Sequence, residues 1–234
     1  MSDSVTWDCT DPQIRARAVG QATSIMRAGG IVVLPTENCY VVATDAFSLK
    51  GTALLRRAKM QPATTPLGLL VASPQTVSGV ASRVPERARD LMAAFWPGML
   101  TLLLPAQSTL AWDHPTGAPI AVRMPVHPLA LDICTALGPM AASTASVAGG
   151  DAPITAQQAL DSLADDVAAV CDVGPLGQEA WSDVEDRHLA STVVDLATYP
   201  ASVVRAGAIP TERVEAVLRP GSGDTVARSG PLTD

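Results

Sequence analysis

Gly29-Gly-Ile-Val-Val-Leu-Pro-Thr-Glu-Asn-Cys-Tyr-Val-Val42 is where a helix stops, a strand begins and a polar turn follows. The two glycines end a helix, because a residue just past a helix terminus favours the left-handed region that glycine enters freely. Ile31 to Leu34 is a short apolar run of the kind that forms a strand buried on both faces. Pro35 ends it, and Thr36, Glu37 and Asn38 place three hydrogen-bonding side chains directly behind. In α/β sheets ligands sit beyond the carboxyl ends of strands, so this exit is a candidate ligand site. The same residues also read as a plain strand exit with a proline breaker.

The rest of the chain alternates in the same manner. Asp11-Pro12 is a cap followed by proline at the first helical position, and Ile14, Ala18, Ala22 and Met26 recur at helical spacing up to Gly29. Helices are predicted from Ser48 to Lys59, Pro85 to Phe95, His127-Pro128 to Leu137, Thr155 to Leu163 and Pro210 to Leu218. Strands are predicted at 67–72, 100–104, 119–124, 140–143, 167–172, 191–196 and 203–205, with a polar excursion over 174–187. Such alternation predicts one α/β domain over 11–219 with helices flanking a sheet. Residues 1–10 read as an N-terminal extension and 220–234 as a flexible C-terminal tail.

Composition excludes several classes. The 234 residues are 47% apolar and 17% charged, as in a globular chain rather than a disordered one. A net charge of −7 argues against a broadly basic nucleic-acid surface. No apolar run approaches the roughly 20 residues of a membrane span, and the first residues lack the basic and apolar regions of a signal peptide; a cytoplasmic location is expected. Cys9, Cys39, Cys134 and Cys171 form no C-x-x-C pair, so neither zinc nor redox chemistry is indicated. Cys39 as a nucleophile would need an activating base that its surroundings do not supply. His114, His127 and His188 lack ligand spacing and read as surface residues. Phosphate-loop, dinucleotide-binding, zincin and nucleophile-elbow motifs are absent.

What remains is polar residues at strand ends: Thr36 and Asn38, Lys59, Arg123, Thr144 with Ser146, Ser191 with Thr192, and Arg205. Strand ends of an α/β sheet can converge on one cleft, which Lys59 and the two arginines would make locally basic. Residues 144–151 are small, and their backbone N–H groups could cradle phosphate. Together these point to an anionic ligand such as a nucleotide. Each arginine by itself has the commoner fate of a surface ion pair.

These stretches resemble, in order along most of the chain, the YrdC-like threonylcarbamoyl-adenylate synthases. Gly30 to Tyr40 is similar to that family's strand and P-T-[DE]-T-V-Y-G, and Lys59-Met-Gln-Pro-Ala-Thr-Thr-Pro-Leu67 to K-x-R-P-x-x-x-P-L. Phe95-Trp-Pro-Gly-Met-Leu-Thr101 resembles W-P-G-x-[LV]-T, and Ala121-Val-Arg-Met-Pro125 resembles [AV]-x-R-x-P. Ser143-Thr-Ala-Ser-Val-Ala-Gly149 falls where the family has S-A-N-x-S-G, Ser191-Thr-Val-Val-Asp195 matches S-T-[IV]-[VI]-D, and Val203-Val-Arg-Ala-Gly207 resembles [IV]-[LI]-R-x-G.

The resemblance implies a twisted mixed β-sheet flanked by helices, with a concave ligand cleft. It implies a nucleotidyltransferase, L-threonylcarbamoyladenylate synthase, which converts ATP, L-threonine and bicarbonate to threonylcarbamoyl-AMP and pyrophosphate. The product serves threonylcarbamoylation of tRNA adenosine. Thr36, Asn38, Arg123 and Ser191 would bind threonine. Lys59, Gln61, Thr65, Thr144, Ser146, Thr155 and Arg205 would bind the nucleotide. Lys59 and Arg123 would be the catalytic residues, and Mg2+ would accompany the phosphates without a protein metal site. Implied partners are tRNA or double-stranded RNA and the tRNA threonylcarbamoyl-transfer proteins, with no membrane. The chain departs from the pattern at Asn38, Val41, Gln61, Thr65, Leu70 and Ser146; Val41 would be strained if its turn needed a positive φ. A catalytically degenerate paralogue that binds a nucleotide, RNA or a protein partner is the alternative reading.

Overall fold

Asp11 begins the first helix as expected. Its carboxylate accepts from the Gln13 and Ile14 backbone N–H groups at 2.7 and 3.3 Å, and α1 runs over Pro12–Arg27. The computed structural model describes residues 4–163, 166–176 and 190–219. At the end of α1, Gly29 N–H bonds to the Met26 carbonyl and Gly30 N–H reaches back to Ile25, both at 2.9 Å. Gly29 has φ +81°, and a Cβ on Gly30 would sit 2.6 Å from Ile25 Cγ2. Both glycines are required by this paired C-terminal closure.

The chain then enters β2 (Ile31–Pro35) and returns antiparallel as β3 (Tyr40–Asp45). Thr36 closes the hairpin, its N–H and its hydroxyl both donating to the Cys39 carbonyl. Val41 lies in regular pairing with Leu34 and Thr144, with no positive φ. A β-branched residue is therefore unstrained there, which corrects the expectation of a turn.

The remaining strands are β1 (Val5–Asp8), β4 (Gly68–Leu70), β5 (Leu100–Pro105), β6 (Pro119–Arg123), β7 (Met140–Thr144), β8 (Val167–Asp172), β9 (Thr192–Asp195) and β10 (Ser202–Arg205). They make one mixed, unclosed sheet in the order β1-β8-β2-β3-β7-β4-β6-β5-β9-β10. Residues 5–8 pair parallel with β8, so part of the predicted N-terminal extension is an edge strand. Its alternation, Val-Thr-Trp-Asp, is too short and too exposed to stand out in sequence. The predicted tail at 220–234, and most of the polar excursion with His188, lie outside the described residues.

Alternate strand residues feed two separate cores. On one face Val33, Val42, Leu69, Val122 and Leu102 pack with α2 (Leu49–Ala58), α3 (Pro74–Val80), α4 (Glu86–Phe95), α6 (Ala156–Ser162) and α7 (Thr211–Leu218). On the other, Val32, Leu34, Ala43 and Ala169 lie under α1 and α5 (Pro128–Leu137). Helices α1 and α5 contact β1, β2, β3 and β8. The same face over β7, β4, β6 and β5 is left concave. Among the described residues no helix is long and apolar enough to cross a membrane.

Candidate active site

The concavity is a cavity of about 280 Å³ whose lining includes Thr36, Asn38, Thr144, Arg123, Ser191 and Arg205. It crosses the face of the sheet rather than sitting beyond the strands' carboxyl ends. The cause is the mixed topology: β3, β7 and β4 alternate in direction and β6 runs parallel to β4, so no continuous row of carboxyl termini forms. Instead same-face residues make the floor: Val41 and Leu70, with Ala121 and Ala142 between the polar groups.

Arg123, at the end of β6, pairs through Nη2 with Glu37 Oε2 at 3.0 Å, both side chains nearly buried (12% and 11% exposed). Its Nη1 faces the Met99 sulfur at 3.5 Å, a weak acceptor. Glu37 also accepts from Val126 N–H, joining the hairpin turn to the segment after β6. Arg205 donates from Nε and Nη2 to the Ser191 carbonyl at 3.0 and 2.7 Å and from Nη2 to Ser191 Oγ at 2.9 Å. Burial, and then the Arg123 charge, draw the Arg205 pKa below the usual guanidinium value. Ser191 Oγ further meets Thr101 Oγ1 at 2.7 Å. Ser191 is held close to β10 because Gly207 backs onto residues 190–192, where a Cβ would collide with the Ala190 carbonyl. Asn38 Oδ1 accepts from Thr36 Oγ1 at 3.3 Å.

All four residues expected to bind threonine thus converge, and Thr144 and Arg205 join them. The rest of the nucleotide set takes other places. Lys59 is 2% exposed, and its amine donates to the Thr144 and Ser146 carbonyls, both at 2.5 Å. It clasps the 144–148 loop, whose Ala148 N–H returns to the Lys59 carbonyl at 3.0 Å. Thr155 caps α6 in a reciprocal box with Gln158. Thr65 offers its carbonyl to Arg56 at 2.8 Å, Ser146 is buried, and the Gln61 amide oxygen is buried with no partner among the described residues. The phosphate cradle expected over 144–151 is largely spent internally. Ala145, Val147, Ala148 and Gly150 donate their N–H groups to Tyr40, Ser162, Lys59 and Val147 respectively.

Cys39 lines the cavity, but burial pushes its thiol pKa up, away from a nucleophile. His127 caps α5, its Nδ1 accepting from Leu129 N–H at 3.2 Å, and His114 is bonded to the Ala118 carbonyl. Thr101 is marked in sequence only as the close of W-P-G-x-[LV]-T, and Glu37 only as one of the three polar side chains behind Pro35, with no binding role of its own.

Burial also lowers the Lys59 pKa to about 8. The unfolded chain keeps that proton up to about 10.4, so between these values the unfolded state binds more protons and stability rises with pH. We expect the unfolding free energy of the wild type, from urea titrations, to climb from pH 8 to 10 relative to Lys59→Met by on the order of 1–2 kcal/mol. Parallel pH profiles would contradict the buried-amine assignment.

The Sua5/YciO/YrdC family model, described as "Telomere recombination", matches residues 24–207. The chain belongs to the Sua5/YciO/YrdC family. A Mycobacterium tuberculosis relative, provisionally named a threonylcarbamoyl-AMP synthase, is 39% identical over 217 residues, 91% of this chain and 94% of the relative. The Bacillus subtilis threonylcarbamoyl-AMP synthase is 33% identical over 90% of this chain, which spans 58% of that protein. Pyrococcus abyssi Sua5, solved with L-threonine, superposes with a TM-score of 0.73 at 30% identity, covering 85% of this chain and 56% of the Sua5 chain.

Proposed function

We propose that this member of the family is a threonylcarbamoyl-AMP synthase, joining L-threonine, bicarbonate and ATP into threonylcarbamoyl-AMP with release of pyrophosphate. The observation that carries this reading is the convergence of Thr36, Asn38, Arg123 and Ser191 on one cavity. Its volume of about 280 Å³, just below the roughly 300–1,000 Å³ of small-molecule sites, has room for an amino acid. Arg123 supplies a guanidinium for the amino-acid carboxylate, and the hydroxyls of Thr36 and Ser191 with the Asn38 amide supply neutral polar contacts.

The chemistry asks for placement more than for proton transfer. Threonine's amine attacks the carbon of bicarbonate and water leaves, giving a carbamate; a carbamate oxygen then bonds to the α-phosphorus of ATP as the bond to pyrophosphate breaks. Holding these in line and balancing charge accounts for such a reaction. Arg205 and Thr144 line the same cavity and would meet the phosphates. Mg2+ would arrive with ATP; the described residues hold no cluster of three His, Cys, Asp or Glu side chains to fix it independently. The product would pass to the tRNA threonylcarbamoyl-transfer proteins.

One observation favours a second reading, a paralogue that binds threonine without turning ATP over: Lys59 spends its amine on the Thr144 and Ser146 carbonyls, and Ala145, Val147, Ala148 and Gly150 spend their N–H groups within the protein. Purified protein given ATP, threonine and bicarbonate is expected to release pyrophosphate and form threonylcarbamoyl-AMP. Threonine binding without product would select the second reading. Absence of threonine binding would remove both.

A further inference from the structure

The ion pair beneath the cavity is only half made. Glu37 Oε2 meets Arg123 Nη2 at 3.0 Å. The companion atoms, Glu37 Oε1 and Arg123 Nε, are both buried with no hydrogen-bond partner among the described residues. In a guanidinium, Nε–H and one Nη2–H point in the same direction, so these are the two further atoms needed for a side-on, two-bond pair with a carboxylate. Buried polar groups left without partners are costly, and rotation of either side chain would let these two satisfy one another. On the opposite end of the guanidinium, Nη1 faces the Met99 thioether sulfur at 3.5 Å, a weak partner that a ligand oxygen would readily replace.

Glu37 is tied into the fold independently of Arg123. Its backbone sits in the turn closed by Thr36 onto Cys39, and its carboxylate accepts from Val126 N–H at 3.4 Å. A side chain so fixed sets the direction of a long, otherwise rotatable arginine.

We propose that Glu37 is the positioning residue of this site. It grips the Nε–Nη2 edge of Arg123 and commits the Nη1 end to the carboxylate of an amino-acid ligand. The inference rests on the amino-acid reading of the cavity. It also makes a prediction opposite in sign to simple electrostatics. Glu37 adds a negative charge beside the place where an anion would bind, so removing that charge should tighten binding if Glu37 acted by charge alone.

The test is threonine binding by calorimetry to wild type, Glu37→Gln, Arg123→Ala and the double variant. Glu37→Gln, nearly isosteric, is expected to weaken threonine by about tenfold, the worth of one charge-assisted hydrogen bond. In the Arg123→Ala background the same change is expected to have less than about a twofold effect, as for a residue acting through its partner. Unchanged or tighter binding in Glu37→Gln, or losses that add across the double variant, would overturn the proposal. A second readout needs no ligand. The Arg123 Nε–H resonance in 15N-labelled protein should exchange slowly with water in wild type and rapidly in Glu37→Gln. Should wild type bind no threonine, the amino-acid reading has failed. The Nε–H exchange then decides the Glu37 contact alone, and equal exchange in the two proteins overturns it.

Discussion

Arg123→Ala is expected to lower kcat/KM for threonine by at least about a hundredfold, the scale of losing a charge-assisted contact from a preorganised site. Two losses coincide. The cavity forfeits its more deeply placed guanidinium, and Glu37, 11% exposed, keeps a carboxylate whose cation has gone. Removing one member of a buried ion pair costs about 3–5 kcal/mol, so the urea midpoint should fall as well. Arg123→Lys restores the charge but not the planar fork. It should recover most of the stability while remaining about tenfold impaired toward threonine. Initial rates against threonine at saturating ATP, with unfolding measured on the same preparations, separate the two effects. A threonine dependence unaltered by Arg123→Ala would show that the amino acid binds elsewhere.

How far such a site is legible in sequence depends on what each residue is tied to. Helix α1 was plain because its start and stop are local: Asp11 bonds two residues ahead, and Gly29-Gly30 close onto Ile25 and Met26. Strand β8 was equally plain, an apolar run ending at Asp172. By contrast β3 was hidden. Its residues Tyr40 to Ala43 are all buried, so no alternation marks a strand, and the hairpin turn before them is held by a threonine rather than by Asn-Gly. Helix α3 is one short segment with no side-chain cap bond.

The division within the site has the same cause. Thr36, Asn38, Arg123 and Ser191 flank or end strands whose register is fixed by the sheet, so knowing the strands nearly places them. Lys59 follows a helix, and its direction depends on which loop packs above it. No local pattern reveals that the Thr144 and Ser146 carbonyls lie within its reach, across 85 and 87 residues of chain. The motif identified the lysine; only the packing shows its amine engaged. The cleft begins at those strand ends but spreads across the sheet face, since strand direction in a mixed sheet is set by pairings that sequence does not display.

The same long-range dependence predicts an asymmetric response at a second ion pair, buried on its arginine side. Arg56, on α2 and 2% exposed, directs Nη1 to Asp113 Oδ2, Nη2 to the Asp113 carbonyl and Nε to the Thr65 carbonyl. Thr52 donates to the same carboxylate at 3.0 Å. One guanidinium thereby pins both the segment following Lys59 and the loop between β5 and β6. Asp113→Ala leaves a cation sealed from water, and about 3 kcal/mol of destabilisation is expected, the low end for a broken buried pair. It is the low end because the Asp113 carbonyl and the Thr65 carbonyl still solvate the charge. Arg56→Met should cost less, about 1 kcal/mol. Methionine refills apolar volume, and Asp113, whose side chain is 36% exposed, can hydrate once released. Urea midpoints of the two variants measure the difference directly; equal losses would mean that water reaches Arg56. Neither residue lines the threonine cavity, so both variants, while folded, should bind threonine as wild type does. A drop in threonine affinity from Asp113→Ala would instead couple this loop to the amino-acid site.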